Sequence, residues 1–240
     1  SLRSEHVVRI LDLVDPEEGD PFLVMELLEG SDLDEILERR GPLPVEEAVG
    51  YVLQVCEVLV EAHARSIVHR DLKPKNLFVI DRQGHPFIKV LDFGLSKNLA
   101  GAAPTDRSLT RPIGTIGSLH YMSPEQIRGE SHRIDGRTDI FAMGVILYEL
   151  LTGRHPFRSI NKNELFRKIL EDAPQPIRQL NPAVPESIEA ICMKALGKNM
   201  EARYTTAYDF AESLQKAAGL KNNVLSSQSF QEAANATIAE

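Results

Sequence analysis

The chain has 240 residues, of which 42% are hydrophobic and 26% are charged, a composition typical of a globular protein with one sizeable core. Aspartate and glutamate outnumber lysine and arginine by 35 to 27, and the formal net charge of -8 argues against non-specific binding to nucleic acid. With only two cysteines, Cys56 and Cys192, a disulfide framework or a cysteine metal site has no support, and we expect a reducing, cytoplasmic setting.

The first forty residues predict a β-hairpin followed by a helix. Branched apolar residues dominate residues 6–13 and 21–27, and the acidic run at residues 15–20 between them suits a turn. The two segments are therefore predicted to pair as antiparallel strands. A helix is predicted over residues 32–40, with Ser31 as its cap and carboxylates in its first turn.

The remainder of the chain predicts a second hairpin among helices. A long helix over residues 45–65 has apolar residues at helical spacing, and two short strands at residues 76–80 and 87–91 flank a polar turn. The apolar run at residues 140–151 is interrupted by Glu149 and is too short to cross a bilayer, so no membrane segment is expected. Further helices are predicted over residues 138–152, 161–171, 187–196 and 205–218.

Two polar motifs flank the second hairpin. The first, at residues 69–76, reads His-Arg-Asp-Leu-Lys-Pro-Lys-Asn, and the second, at residues 92–94, reads Asp-Phe-Gly. Either motif in isolation would usually be loop chemistry without catalytic meaning, but this order, with a hairpin between the two, favours a catalytic site. The pair resembles the catalytic loop and the metal-binding loop of the protein kinase family.

The resemblance implies a role for each polar residue of the two motifs. Asp71 would accept the proton of a Ser or Thr hydroxyl on a protein substrate, and Lys73 would neutralise the transferred phosphoryl group, as in Ser/Thr kinases. Asn76 and Asp92 would hold two Mg²⁺ ions beside ATP, because the hard cations that offset triphosphate charge prefer oxygen ligands. The expected function is therefore transfer of the γ-phosphate of ATP to protein Ser or Thr hydroxyls.

A second part of the resemblance concerns the adenine site. Residues 24–30 are similar to a kinase hinge, in which the backbone at Glu26 and Leu28 would hydrogen-bond to adenine. Met25 would be the gatekeeper behind the base, and Phe78 would help to form the floor of the pocket. Without the resemblance, Met25 and Phe78 would be interpreted as ordinary core residues.

Three features farther along the chain also resemble the family. Residues 117–125 are similar to the segment that closes the activation loop, with Ser118 where the family usually has Thr. Glu125 is expected to form a buried ion pair with Arg203, which would offset the desolvation of its carboxylate. Asp139 is expected to brace the backbone of the catalytic loop, with a simple first-turn aspartate favoured by the helix dipole as the alternative.

The resemblance also suggests regulation by phosphorylation. In the family, the arginine before the catalytic aspartate, here Arg70, commonly pairs with a phosphate on the activation loop. Among the hydroxyls of residues 105–115, Thr110 and Thr115 are the preferred acceptors, although such side chains are often only solvated. Self-association for activation is a further expectation.

The implied fold is α+β and protein-kinase-like, with a mainly α-helical large lobe and a remnant of the small β lobe. Residues 1–30 would form the remnant and the hinge, residues 31–219 the large lobe, and residues 220–240 a polar tail or linker. The amino-acid sequences at residues 122–126 and 135–141 resemble the corresponding motifs of bacterial Ser/Thr kinases.

The Gly-rich loop, strand lysine and helix glutamate of a complete kinase are not found before the hinge. Since the chain starts with Ser1 rather than Met, we expect a fragment whose missing elements lie upstream, with weak or no activity from these 240 residues alone. The alternative is a truncated or pseudokinase-like scaffold that binds a partner without phosphorylating it. The intact set of Asp71, Lys73, Asn76 and Asp92 favours the enzyme, and the upstream coding sequence would discriminate between the two.

Overall fold

The computed structural model describes residues 2–16, 20–93 and 116–220 of the chain. The predicted tail beyond residue 220, Gly94 and the candidate phosphate acceptors Thr110 and Thr115 lie outside these ranges. Within them, two small antiparallel β-sheets adjoin a larger helical region. This architecture confirms the predicted α+β class.

The first sheet is the predicted N-terminal hairpin. Strand β1 (Ile10–Val14) pairs in antiparallel register with β2 (Phe22–Met25). The predicted start of the first strand, at residue 6, is wrong by four residues. The carbonyl of His6 instead accepts a hydrogen bond from Val90 N, and the His6 ring stacks on Phe87 at 4.0 Å, so this segment follows the second sheet.

The second sheet has three antiparallel strands in the order β3 (Gly30–Asp32), β4 (Leu77–Arg82) and β5 (His85–Val90). Strands β4 and β5 form the predicted second hairpin, whereas β3 was not predicted. A glycine is required where β3 meets β4, because a Cβ atom at Gly30 would lie only 2.0 Å from the carbonyl oxygen of Val79. The sheet thereby brings the chain after the predicted hinge against the strand that follows the catalytic motif.

The helix after β3 begins one residue later than predicted. Helix α1 (Leu33–Arg40) is capped by Asp32, whose side chain accepts a hydrogen bond from Glu35 N at 2.9 Å. The predicted cap, Ser31, is wrong because this residue pairs within β3 and its hydroxyl accepts a hydrogen bond from Arg39 instead. Both residues are good N-caps, and the strand pairing decides between them.

Two helices, α2 (Val45–His63) and α5 (Gly136–Thr152), form the centre of the helical region and pack against each other. Nearly every side chain of α5 is buried. The other helices that the structure describes are α3 (Ile116–Leu119), α4 (Pro124–Ile127), α6 (Lys162–Glu171), α7 (Ile177–Leu180), α8 (Glu186–Ala195) and α9 (Ala207–Ala217). Helix α9 packs on α2, and α8 packs on α5. Across the described ranges, no helix combines the length and the apolar character needed to cross a membrane.

A close contact between α5 and α8 leads to a stability prediction. A Cβ atom at Gly144 would lie 2.9 Å from Ala195 Cβ, closer than two carbon atoms can pack. Overpacking at this contact should cost about 1–3 kcal/mol. Alanine favours the helix over glycine by about 1 kcal/mol. We expect the overpacking to outweigh this gain, so that Gly144→Ala lowers the free energy of unfolding. Gly50→Ala in α2 is the matched control, because no atom lies within 4 Å of a Cβ there. Urea unfolding in which Gly144→Ala is as stable as Gly50→Ala would contradict the prediction.

Candidate active site

The catalytic-motif loop, residues 69–76, lies between α2 and β4, and one buried carboxylate binds its backbone. Asp139, in the first turn of α5, accepts hydrogen bonds from His69 N and from Arg70 N, each at 2.9 Å. Its Oδ2 atom also lies 2.8 Å from His63 Nε2. The predicted bracing role of Asp139 is confirmed, and the alternative of a simple first-turn aspartate is not.

The backbone of this loop is strained at Arg70. This residue has a φ of 70°, in the left-handed region that a non-glycine residue seldom adopts. The two hydrogen bonds to Asp139 fix the peptide units on the N-terminal side of Arg70 and hold it in that conformation. The strain sits directly before Asp71, the residue predicted to contact the substrate.

Asp71 and Lys73 form a solvent-accessible ion pair. Lys73 Nζ donates to Asp71 Oδ2 at 2.7 Å, and the Asp71 side chain is 60% exposed. The amide of Asn76, which is buried, donates from Nδ2 to the backbone carbonyl of Asp71 at 2.8 Å. The structure thus brings together the three residues predicted to be catalytic, with a carboxylate that a substrate hydroxyl can reach.

The two predicted metal ligands lie at the ends of paired strands. Asn76 precedes β4, and its carbonyl accepts a hydrogen bond from Leu91 N at 2.8 Å, one residue before Asp92. His69 reinforces this pairing, since its Nε2 atom lies 3.0 Å from the Leu91 carbonyl oxygen. Asp92 is exposed and has a φ of 58°, a conformation that Asp tolerates better than most residues.

The chemistry of these donors fits magnesium. The Asn76 amide uses its nitrogen for the bond to Asp71, which leaves its oxygen as the potential ligand, and Asp92 contributes a carboxylate. Mg²⁺ in phosphate-transfer sites is bound by one or two such oxygen groups together with phosphates and water. Within the described ranges, no cluster of three or more His, Cys, Asp or Glu residues suits a metal ion held by protein alone.

Of the residues predicted to bind adenine, Glu26 and Leu28 lie between strands β2 and β3, whereas Phe78 lies within β4. The carboxylate of Glu26 accepts hydrogen bonds from Lys89 Nζ at 2.8 Å and from Arg9 N at 2.9 Å, and its own N–H donates to the Arg9 carbonyl. Partial burial raises the pKa of Glu26, but these contacts outweigh it and hold the pKa below its usual value. Leu28 and Phe78 are both half-buried.

Met25 is not a core residue. Its side chain is 41% exposed, so the interpretation of Met25 as ordinary core is wrong. Phe78, in β4, is half-buried, and one of its ring carbons would lie 3.2 Å from a Cβ at Gly30. The roles of Met25 as gatekeeper and of Phe78 as pocket floor stay predictions.

The predicted ion pair between Glu125 and Arg203 is present and fully buried. The guanidinium donates to both carboxylate oxygens at 2.9 Å, and the two side chains are 2% and 0% exposed. Thr138 Oγ1 donates to Glu125 at 2.7 Å, and Arg203 also donates to the carbonyl of Arg137. The pair joins α4, the start of α5 and the loop before α9.

The environment of Glu125 predicts a loss of stability in acid. Burial raises the pKa of Glu125, but the hydrogen bonds and charge of Arg203 outweigh it and lower the pKa to about 2. Between pH 4.5 and 2 the unfolded chain then binds more protons than the folded chain. The contribution of Glu125 to the free energy of unfolding is therefore complete above pH 4.5 and is lost as the pH falls to 2. We expect this group to contribute about 2 kcal/mol to the loss between pH 6 and pH 3. Urea unfolding at pH 6, 4 and 3 measures it, and Glu125→Gln/Arg203→Met should lack this component of the acid dependence.

A buried cluster that the sequence did not reveal anchors residues 117–125. The hydroxyl of Tyr121 donates to Glu149 Oε2 of α5 at 2.6 Å. Burial raises the pKa of Glu149 to about 7, and burial lowers the pKa of His155, whose Nδ1 lies 3.4 Å from Glu149 Oε1, to about 4. Ser118, where the family usually has Thr, lies in α3.

A second contact missed by the sequence reasoning involves Gln126. Its side-chain amide donates to the carbonyl of Arg70 at 2.8 Å and so connects α4 to the catalytic-motif loop. The spacing of Ser123 and Gln126 is that of a capping box, and this pattern could have indicated an ordered glutamine. No sequence pattern indicates the contact with Arg70, which lies 56 positions away.

Comparison with known proteins defines the class. A family model described as protein kinase domain matches residues 1–217. The chain therefore belongs to the protein kinase domain family, and the α+β kinase fold predicted for it is confirmed. Two solved structures share this fold: the Mycobacterium tuberculosis PknI kinase domain, with a TM-score of 0.67 and 22% identity, covers 91% of this chain and 73% of its own. Rad53 residues 1–466 in complex with AMP-PNP has a TM-score of 0.72 and 24% identity over 88% of this chain and 51% of its own.

The relatives at higher identity are bacterial Ser/Thr protein kinases. Pkn3 of Myxococcus xanthus is 38% identical over 217 residues, which are 89% of this chain and 39% of the relative. Pkn1 of the same organism is 40% identical over 89% of this chain and 30% of the relative, and PrkC of Bacillus subtilis is 38% identical over 90% and 32%. The chain is thus similar to the kinase regions of bacterial Ser/Thr protein kinases, as predicted, and spans 30 to 39% of the length of these relatives.

Proposed function

We propose that the protein containing this chain transfers the γ-phosphate of ATP to Ser or Thr hydroxyls of protein substrates. The observation that carries the proposal is the accessible Asp71 carboxylate, which is held by Lys73 at 2.7 Å and whose backbone carbonyl accepts from the Asn76 amide. Asn76 in turn pairs with Leu91, the residue before Asp92. ATP and Mg²⁺ would be the cofactors, with ATP supplying the phosphoryl group and Mg²⁺ offsetting its charge.

Each polar residue of the site has its own proposed role, which depends on where it lies. Asp71 orients the substrate hydroxyl and accepts its proton, because its carboxylate is exposed while its backbone is fixed by Asn76. Lys73, already paired with that carboxylate, supplies positive charge beside the transferred group. Asn76 and Asp92 would hold the cations, and the backbone at Glu26 and Leu28, with Phe78 as the floor, would hold adenine.

The same proposal covers the organisation and setting of the chain. Residues 1–30 would be small-lobe strands and hinge, residues 31–219 the large lobe, and residues 220–240 a polar tail or linker. Protein substrates are the proposed partners, and self-association is a proposed route to activation. Two buried free cysteines, whose burial raises the pKa of each thiol, support a reducing cytoplasmic setting.

The proposal is tested by labelled phosphate transfer from ATP to a generic Ser/Thr protein substrate by the full-length protein. We expect transfer that requires Mg²⁺. A protein that binds partners without catalysis, the alternative interpretation, would transfer no label at any Mg²⁺ concentration, and that result would overturn the proposal.

The metal role of Asp92 gives a separate expected result. Asp92→Asn keeps a residue that tolerates the left-handed backbone but removes the negative charge. We expect the Mg²⁺ concentration for half-maximal transfer to rise by about tenfold or more. Asp81→Asn is the matched control, since Asp81 lies on the hairpin that precedes Asp92 and its Oδ1 accepts the turn hydrogen bond from Gly84 N. Equal Mg²⁺ requirements for the two variants would argue against Asp92 as a ligand.

A further inference from the structure

Gln126 joins two parts of the active site that are far apart in sequence. Its Oε1 atom accepts a hydrogen bond from Ser123 N at 3.0 Å, and its Nε2 atom donates to Arg70 O at 2.8 Å. One amide side chain therefore contacts the end of the segment at residues 117–125 and the catalytic-motif loop at the same time.

The carbonyl that Gln126 contacts belongs to the peptide unit between Arg70 and Asp71. Asp139 fixes the two peptide units on the N-terminal side of Arg70 by accepting hydrogen bonds from their N–H groups. The unit on the C-terminal side has a long contact at its N–H end, from Asp71 N to His69 Nδ1 at 3.4 Å. Gln126 supplies the short hydrogen bond to this unit, and the orientation of the unit sets the direction in which the Asp71 side chain leaves the backbone.

The position of Gln126 is itself well determined. Ser123 and Gln126 form a capping box, in which Ser123 Oγ accepts from Gln126 N while the Gln126 side chain accepts from Ser123 N. Glu125, directly before Gln126, is fixed by its buried ion pair with Arg203. The amide is thus presented to Arg70 by a rigid turn rather than by a mobile surface side chain.

We propose that Gln126 is a positioning residue for Asp71. Its amide holds the Arg70–Asp71 peptide unit and completes the frame begun by Asp139 at the strained Arg70. The proposal rests on the kinase function proposed above.

Gln126→Glu in the full-length protein isolates the donor. The glutamate keeps the length of the side chain and the acceptor for Ser123 N, but its carboxylate cannot donate to Arg70 O and is repelled by it. We expect kcat for phosphate transfer to fall by about tenfold or more, because misplacement of a catalytic group has a large effect on rate. The KM values for ATP and substrate should change less than about twofold.

The pH dependence gives a readout that a merely structural role would not change. The carboxyl group introduced by Gln126→Glu becomes protonated as the pH falls from about 8 to about 4.5, because its position beside a carbonyl oxygen raises its pKa above the ordinary value of about 4.3. The protonated carboxyl group can again donate to the Arg70 carbonyl. We therefore expect the ratio of wild-type to variant kcat to shrink toward acid pH. A ratio that stays constant over this range, or a loss that appears only in KM, would overturn the proposal.

The exchange rates of backbone amide hydrogens test the proposal without an activity assay. In the Gln126→Glu variant, amides of residues 69–72 should exchange several-fold faster than in the wild type. Ser123→Ala removes the hydroxyl that accepts from Gln126 N at 3.4 Å but keeps the backbone N–H that holds Gln126 Oε1, so it should lower the melting temperature and leave exchange in this loop unchanged. Equal exchange in wild type and Gln126→Glu would overturn the proposal even in a protein that transfers no phosphate, whereas absent transfer with faster exchange would overturn only the kinase function.

Discussion

Replacing Asp71 with Asn is expected to lower kcat for phosphate transfer by about 10²- to 10⁴-fold, the range typical of a lost general base. The amide cannot accept the hydroxyl proton, and it also loses the charge that holds Lys73 at 2.7 Å. Because Asp71 is 60% exposed, the substitution should have little effect on folding. The measurement is the steady-state rate of labelled phosphate transfer by the full-length protein.

The control for this experiment is Asp81→Asn, the same chemical change at the exposed turn of the following hairpin. The asparagine can still accept from Gly84 N through its side-chain oxygen, so the turn should persist. We expect wild-type kcat from this variant. If Asp71→Asn and Asp81→Asn had similar rates, Asp71 would not be the base, whatever the resemblance implies.

Removal of Arg203 is expected to have the largest effect on stability. Arg203→Met leaves the Glu125 carboxylate buried without its partner, and breaking a buried ion pair from one side costs about 3–5 kcal/mol. The lost bonds to Arg137 O and Gly197 O add to the effect. Urea unfolding of the chain measures it, and Arg203→Lys, which keeps the charge but loses the bidentate geometry, should fall between wild type and Arg203→Met.

The matched control is Arg167→Met on α6. Arg167 also bonds to a carboxylate, Asp172, at 2.8 Å, but its side chain is 50% exposed. Exposed ion pairs contribute about 0–1 kcal/mol, so this variant should be close to wild type. A similar destabilisation by Arg167→Met and Arg203→Met would mean that burial does not control the strength of the Glu125 pair.

The sequence predicted the elements whose signals are local. The apolar spacing of α2 and the polar turn between β4 and β5 depend on neighbouring residues, and both were placed within a few residues of their observed bounds. Strand β3 was missed because three residues carry no periodicity, and the cap of α1 was misplaced because Ser31 and Asp32 are both good caps. In each case a contact with another strand decides what the local pattern cannot.

The same contrast between local signals and long-range contacts applies to the candidate site. The motif at residues 69–76 is contiguous and could be recognised directly, but its braces come from far along the chain. Asp139 and Arg203 were expected only because the family places such residues there. Gln126 was not found, because the contact with Arg70 arises from how α4 packs and leaves no periodic pattern in the sequence.

These braces explain how a strained loop can hold an exposed base. The left-handed Arg70 is stabilised by Asp139 on one side and contacted by Gln126 on the other, and both depend on buried helices. The Glu125–Arg203 pair fixes α4, from which Gln126 extends. Stability in the helical region is thus connected to the geometry of Asp71, and loss of the ion pair should lower activity as well as stability.

The most direct test of the account is to identify the amino acid that carries the label after phosphate transfer by the full-length protein. Acid hydrolysis of a labelled protein substrate should yield phosphoserine or phosphothreonine with wild type, and almost none with Asp71→Asn. Label found on tyrosine alone, or equal label on Ser and Thr with both proteins, would contradict a Ser/Thr kinase site built on Asp71.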